Sequence, residues 1–120
     1  MEEIGIESTL VEAIKSGDKT IEARLGKPRF LRAQEGDTLS IREDFWHEGK
    51  VLESLPNALQ IKITQVLYFE TFADMLGAVD FQATIPAAPT VEDAVKRYQG
   101  FYTKEQEHEF GVVAFSFEIA

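Results

Sequence analysis

The chain has 120 residues and no cysteine, and its 12 Lys plus Arg stand against 21 Asp plus Glu, for a formal charge of minus nine and a pI near 4.6. A chain of this length buries enough surface for one hydrophobic core and not for two independent ones, so a single domain over residues 1–120 is expected. Its 44% hydrophobic content is too high for disorder, its 28% charged content too interspersed for a bilayer span, and zero Cys removes disulfides, a thiol nucleophile and a Cys-ligated metal. The two histidines, His47 and His108, lie far apart, so no metal site and no cofactor are expected. Met1-Glu2-Glu3 opens acidic where a secretory signal would open basic, which predicts a cytoplasmic location.

In chain order, the first predicted element is a short helix. Thr9 and Glu12 have capping-box spacing, Leu10, Ala13 and Ile14 supply an apolar face, and Gly17 is a left-handed stop after Lys15. Residues 19 to 25 alternate as a half-buried strand, with Glu22 and Arg24 on one face. Gly36-Asp37 reads as a turn into a strand over Thr38 to Arg42, and a further short strand near Lys50 to Leu52 follows a turn region from Asp44 to Gly49. Leu59, Ile61 and Ile63 alternate in the clearest strand, and the pattern slips at Gln65-Val66-Leu67, as at a bulge.

Thr71 and Asp74 then cap a brief helix ended by Gly77, and Pro86 and Pro89 punctuate a loop. Thr90 and Asp93 cap a helix with Val91, Ala94, Val95 and Tyr98 at helical spacing, which stops at Gly100. The acidic run around His108 reads as a solvated loop that repels phosphate, and Val112 to Ile119 as a closing strand. Short strands with helices between them predict an α+β domain on a small, mostly antiparallel β-barrel with inserted short helices.

Charge is uneven along the chain. Half of the basic residues, Lys15, Lys19, Arg24, Lys27, Arg29 and Arg32, fall within residues 15–32, which carry plus four on an acidic chain. A nonspecific binder of long polyanions needs more clustered basic charge than this, and DNA is not an expected partner. A small anionic ligand meets no such obstacle, although a charge run is commonly no more than a solvated face.

The densest polar constellation is Gly17-x-Lys19-x-x-Glu22-x-Arg24. The pattern GxKxxExR after a short helix, followed by a Gly-Asp pair, resembles the ASCH domain, in its small single-domain branch, a member of the PUA-like β-barrel superfamily. The resemblance extends through Phe69-Glu70-Thr71-Phe72 with Leu76, the helix from Pro89 to Tyr98, and the strand from Phe110 to Phe115, covering roughly residues 8 to 119. It implies a barrel with a cleft lined by Lys19, Glu22 and Arg24, in a superfamily whose related domains bind RNA. RNA, a nucleotide or a modified nucleoside is therefore the expected ligand. Chemically, Arg24 offers a planar donor fork, Lys19 a mobile point charge and Glu22 an acceptor for an exocyclic amine. The alternative is a same-face Glu22–Arg24 ion pair that seals the barrel mouth.

Arg97, Tyr98 and Tyr102, with Phe101, surround Gly100 and are candidates for a stacking rim, or else Tyr98 and Phe101 are core and Arg97 a surface charge. Trp46 is a further stacking candidate, weighed against folding back over a barrel end.

Some ASCH-related proteins resemble amidohydrolases acting on N4-acetylcytidine, with a threonine three residues after the motif lysine. That position is Glu22 here, and no carboxylate stands in Ile85 to Pro89, where that branch has one before its last helix. Whether the protein is an enzyme therefore stays open. The hydrolase alternative rests on Lys19 and Glu22 as acid and base, acting on RNA or an acylated nucleoside, with Thr20 the weaker hydroxyl candidate. A third alternative is a protein-interaction domain, and a single small domain acts alone, as a homo-oligomer or with a partner.

Overall fold

A computed structural model describes residues 2–120. Five strands, β1 (Glu2–Glu7), β2 (Ile21–Leu25), β3 (Thr38–His47), β4 (Lys50–Phe69) and β5 (Val112–Ile119), form one sheet in the order β1-β3-β4-β5-β2. The sheet curls into a half-barrel. Three of the four pairings are antiparallel, and β1 runs parallel to β3, with Gly5 opposite Arg42. Six helices are inserted, α1 (Ser8–Ser16), α2 (Pro28–Leu31), α3 (Phe72–Ala78), α4 (Phe81–Thr84), α5 (Val91–Gln99) and α6 (Lys104–Phe110). The fold is α+β, and the sheet is mixed but mostly antiparallel.

Two cores lie on opposite faces of this sheet. Inside the curl, Ile4 and Ile6 of β1, Val11 and Ile14 of α1, Leu39, Ile41, Ile61 and Ile63 pack with Phe115 and Phe117. Outside it, α3 and α5 lay Phe72, Met75, Leu76, Ala94 and Tyr98 over Ala23, Leu25, Val112 and Ala114. Period-two alternation divides β5 between the two, Phe115 and Phe117 inward, Val112 and Ala114 outward. That outward face is thus covered by α3 and α5 over the first half of the strand and opens toward solvent at Ser116 and Glu118. Each fully buried Phe, Ile or Leu contributes about 1.5–3 kcal/mol.

Local chemistry explains most boundaries. Gly17 takes a left-handed φ of 88° and donates to Ile14, ending α1. The start of that helix differs from expectation, because Glu7 is the N-cap residue and the Thr9 hydroxyl turns back to its carboxylate, so no capping box forms at Thr9. Thr71 and Thr90 cap α3 and α5 by accepting from the amides of Asp74 and Asp93. Helix α3 runs one residue past Gly77. The bulge expected near Gln65 is present, with the β4–β5 register slipping between Ile63 and Gln65.

Two further segments differ from the sequence reading. Residues 44 to 47 are not a turn but continue β3, which turns only at Glu48-Gly49, both with positive φ, and returns as the twenty-residue β4. Two register shifts break the alternation in this hairpin, which hid the strands. The run around His108 is the helix α6, held by a reciprocal Thr103–Gln106 capping box that outweighs its polar composition. Among the described residues no helix is long and apolar enough to cross a membrane.

Candidate functional site

Lys19 leaves the α1–β2 loop and points into the protein. It is only 1% exposed, among the largest fully buried side chains, and its Nζ donates to the carbonyls of Ile21 at 2.7 Å and Thr84 at 2.6 Å. Its third neighbour is Glu22 Oε1 at 3.6 Å. The same loop is stitched to α4 by Thr20, whose amide donates to Ala83 and whose carbonyl accepts from Phe117. The lysine therefore pins α4 against β2, at the start of the strand that carries the motif.

Glu22 is buried and accepts from the Ala23 amide at 3.0 Å. Burial alone would raise its pKa, but the charges of Lys19 and Arg24 and the Ala23 amide together hold it below the usual carboxylate range, so it is ionised. Burial drags the Lys19 pKa down, against the opposing pull of Glu22.

Arg24, two residues on and hence on the same face, stands 3.6 Å from Glu22 Oε2. Its Nη2 donates to the Gly5 carbonyl at 2.8 Å, from one edge strand of the sheet to the other. This bond closes the barrel seam without a strand ladder. The Arg24 side chain is 21% exposed and lies over the Phe30 ring, 5.5 Å from its centroid.

Around Arg24 the lining is polar on one side and aromatic on the other. Asp44 accepts from Arg42 at 2.7 and 3.0 Å and from Ser54 at 2.8 Å, and its pKa is lowered by Arg42 first and by Arg24 among lesser causes. Gly5 leaves room beneath them, since a Cβ there would meet the ends of the Arg42 and Asp44 side chains and force them to shift. Across the site, Phe72 stacks on Tyr98 at 4.4 Å and on Tyr102 at 5.1 Å. Burial and then the Glu22 charge push the Tyr98 hydroxyl pKa well up, and Tyr102 feels burial, Arg24 and Glu22 in that order.

The structure thus joins Lys19, Glu22 and Arg24 in one network, with Tyr98 and Tyr102 near enough for the Glu22 and Arg24 charges to act on their hydroxyls. Tyr98 is core and Tyr102 half-buried. Thr20 is exposed and joins the neighbourhood through its backbone amide and carbonyl. Arg97 is exposed and lines a shallow depression with Ala87, Pro89 and Asp93, apart from the motif. Phe101, at 72% exposure, is not core. Trp46 does not fold over a barrel end but stands 51% exposed on the β3–β4 hairpin. Phe72, Phe30, and the Gly5 and Thr84 carbonyls escaped sequence reasoning. Only Phe72, inside the segment that resembled the family, carried a signal. Among the described residues no three His, Asp or Glu side chains converge as metal ligands would.

Comparison with known proteins agrees with this architecture. The crystal structure of hypothetical protein PH0355 is 29% identical, with each chain covered over 100% of its length and a TM-score of 0.84. The solution structure of protein PF0455 from Pyrococcus furiosus is 26% identical over 98% of this chain and 96% of that one, with a TM-score of 0.73. Protein EF3133 from Enterococcus faecalis shares the fold at 17% identity and a TM-score of 0.60, over 94% of this chain and 68% of its own. No protein of curated function matches the chain. The ASCH domain model matches residues 4–120, the stretch that holds the buried Lys19–Glu22–Arg24 network, and the chain belongs to the ASCH domain family.

Proposed function

We propose that this ASCH domain binds a nucleotide, a modified nucleoside or one residue of a short single-stranded RNA at Arg24, Glu22 and Tyr102. The observation that carries the reading is the asymmetry within the motif: Lys19 is wholly internal, whereas Arg24 reaches the surface with a guanidinium oriented by Glu22, Gly5 and Phe30. A fork held in this way reads a base edge or phosphate at small entropic loss, and a half-buried tyrosine beside it provides a stacking face. Lys19 acts as a positioning residue that keeps Glu22 ionised and in place.

In an amide NMR titration with nucleosides, nucleotides and short single-stranded RNAs, saturable shifts are expected in residues 17–24 and 98–102. Arg24→Ala should abolish them with the fold retained by thermal unfolding. Unchanged binding in that variant would sink the reading.

One observation favours a second reading, hydrolysis: burial lowers the Lys19 pKa, the direction a general base requires. The lysine, however, aims its N–H groups at two internal carbonyls, and Thr20 is exposed. Mass spectrometry after incubation with N4-acylated nucleosides and mixed RNA should therefore return unchanged ligands, and any deacylation or cleavage would establish the enzyme.

A further inference from the structure

The basic run over residues 15–32 is only partly used by the motif. Lys15 pairs with Glu12 on α1, and Lys27 lies over the Phe110 ring. Three guanidiniums remain, and they gather around α2. Arg24 and Arg29 both lie over Phe30, at 5.5 and 4.8 Å from its centroid. Arg29 also donates to the Glu3 carbonyl, so its side chain is held at two points.

Between Arg29 and Arg32 sits one carboxylate. Glu2 places Oε2 at 3.6 Å from Arg29 Nε and Oε1 at 3.8 Å from Arg32 Nη2, one oxygen to each fork. That is how two arginines share an oxyanion. All three side chains are about half exposed or more, so the pairs are weak and open to exchange with a competing anion. Behind them a cavity of about 120 Å³ opens between α2 and the barrel, floored by Phe30, Leu39 and Phe115. Asp37, the other carboxylate on its wall, accepts from the Gln34 amide and so faces its own turn.

We infer that Arg29 and Arg32 form a phosphate subsite for the backbone of single-stranded RNA, and that Glu2 of the chain's own first strand occupies it when no strand is bound. The inference rests on the binding reading above: a base at Arg24 and Tyr102 places the adjoining backbone across Phe30, toward Arg29 and Arg32. The Phe30 ring and the Glu3 carbonyl preorganise Arg29, so the phosphate gains one oriented fork and the mobile guanidinium of Arg32, and displaces one weakly held carboxylate. The acidity of the rest of the surface then limits the strand to a short contact.

The test is fluorescence anisotropy of a short labelled single-stranded RNA over a salt series from about 50 to about 200 mM, where each neutralised phosphate contributes about 0.7 to the log–log slope. Arg32→Gln should weaken binding several-fold for every sequence and flatten the slope by about that amount. Glu2→Gln should tighten binding several-fold at low salt. Both should leave nucleoside binding at the cleft unchanged.

Wild-type affinity and slope in both variants would overturn the subsite, as would an RNA that binds neither the wild type nor Glu2→Gln. Inorganic phosphate that binds the wild type at low millimolar concentration and is weakened by Arg32→Gln, while that variant leaves the RNA slope unchanged, would assign the subsite to the free ion and overturn the strand. The two readings separate at Arg24→Ala: if nucleoside binding persists there while Arg32→Gln still flattens the RNA slope, the cleft reading fails and the subsite stands.

Discussion

The barrel seam and the β3–β4 hairpin invert the usual placement of side chains. At the seam, Lys19 and Glu22 are buried in a shell of carbonyls, an amide and a guanidinium. On the hairpin, Trp46, Val51, Leu52 and Leu55 stand in water, Leu52 at 69% exposure. The cause is topological. Between Lys50 and Ala58, β4 pairs only with β3, and no helix covers either face, whereas the seam lies where two edge strands, α4 and the α1–β2 loop meet. Charge is tolerated inside because every donor and acceptor there finds a partner, and among the described residues no buried side-chain polar atom lacks one.

The largest effect is expected from breaking the seam on one side. Lys19→Met leaves buried Glu22 with Arg24 as its remaining counter-charge and strips the Ile21 and Thr84 carbonyls of their donor, and should destabilise by about 3–5 kcal/mol in urea unfolding. Adding Glu22→Leu should restore part of that loss, since it removes the buried carboxylate that Lys19 no longer compensates. A double variant as unstable as the single one would mean that the ion pair is not what Lys19 supports.

Smaller, and able to sharpen the contrast, is the response to acid. Glu22 and Asp44 both have folded-state pKa values below their unfolded ones, so their contribution is full above the ordinary carboxylate range and is lost as pH falls through the folded values. The melting temperature should therefore fall through the acid range. The fall should be shallower in the Lys19→Met, Glu22→Leu pair, and equal slopes would remove Glu22 from the account.

The smallest effect belongs to the hairpin. Leu52→Ser and Trp46→Ser should each shift stability by no more than about 0.5 kcal/mol, as exposed positions do. A loss of several times that size would show that the hairpin packs against another surface in solution.

The same contrast decides what could be read in advance. Elements whose alternation or caps are local were legible: β2, β5, the second half of β4, and the threonine caps of α3 and α5. Strand β1 was not, because Gly5 separates just two apolar residues, Ile4 and Ile6, and its partner β3 lies more than thirty residues away. The hairpin escaped because its two register shifts spoil the period of two. Helix α6 carried its signal in Thr103 and Gln106, but its acidic run read as solvated chain. Of the site, the motif residues were legible through family resemblance and shared strand face. Their division into an internal lysine and a surface arginine was not, because it depends on Thr84 and Gly5, carbonyls contributed from distant segments.

The link from Arg24 to Gly5 has one more consequence. An open five-stranded sheet has two bare rims, and bare rims invite foreign strands to add on and aggregate. Here the curl turns β1 and β2 toward each other, and a side chain with no free backbone of its own fills the gap between them. A newcomer strand would have to dislodge the guanidinium before it could reach the Gly5 carbonyl, so the feature that holds the barrel shut also protects it from self-association along its rims.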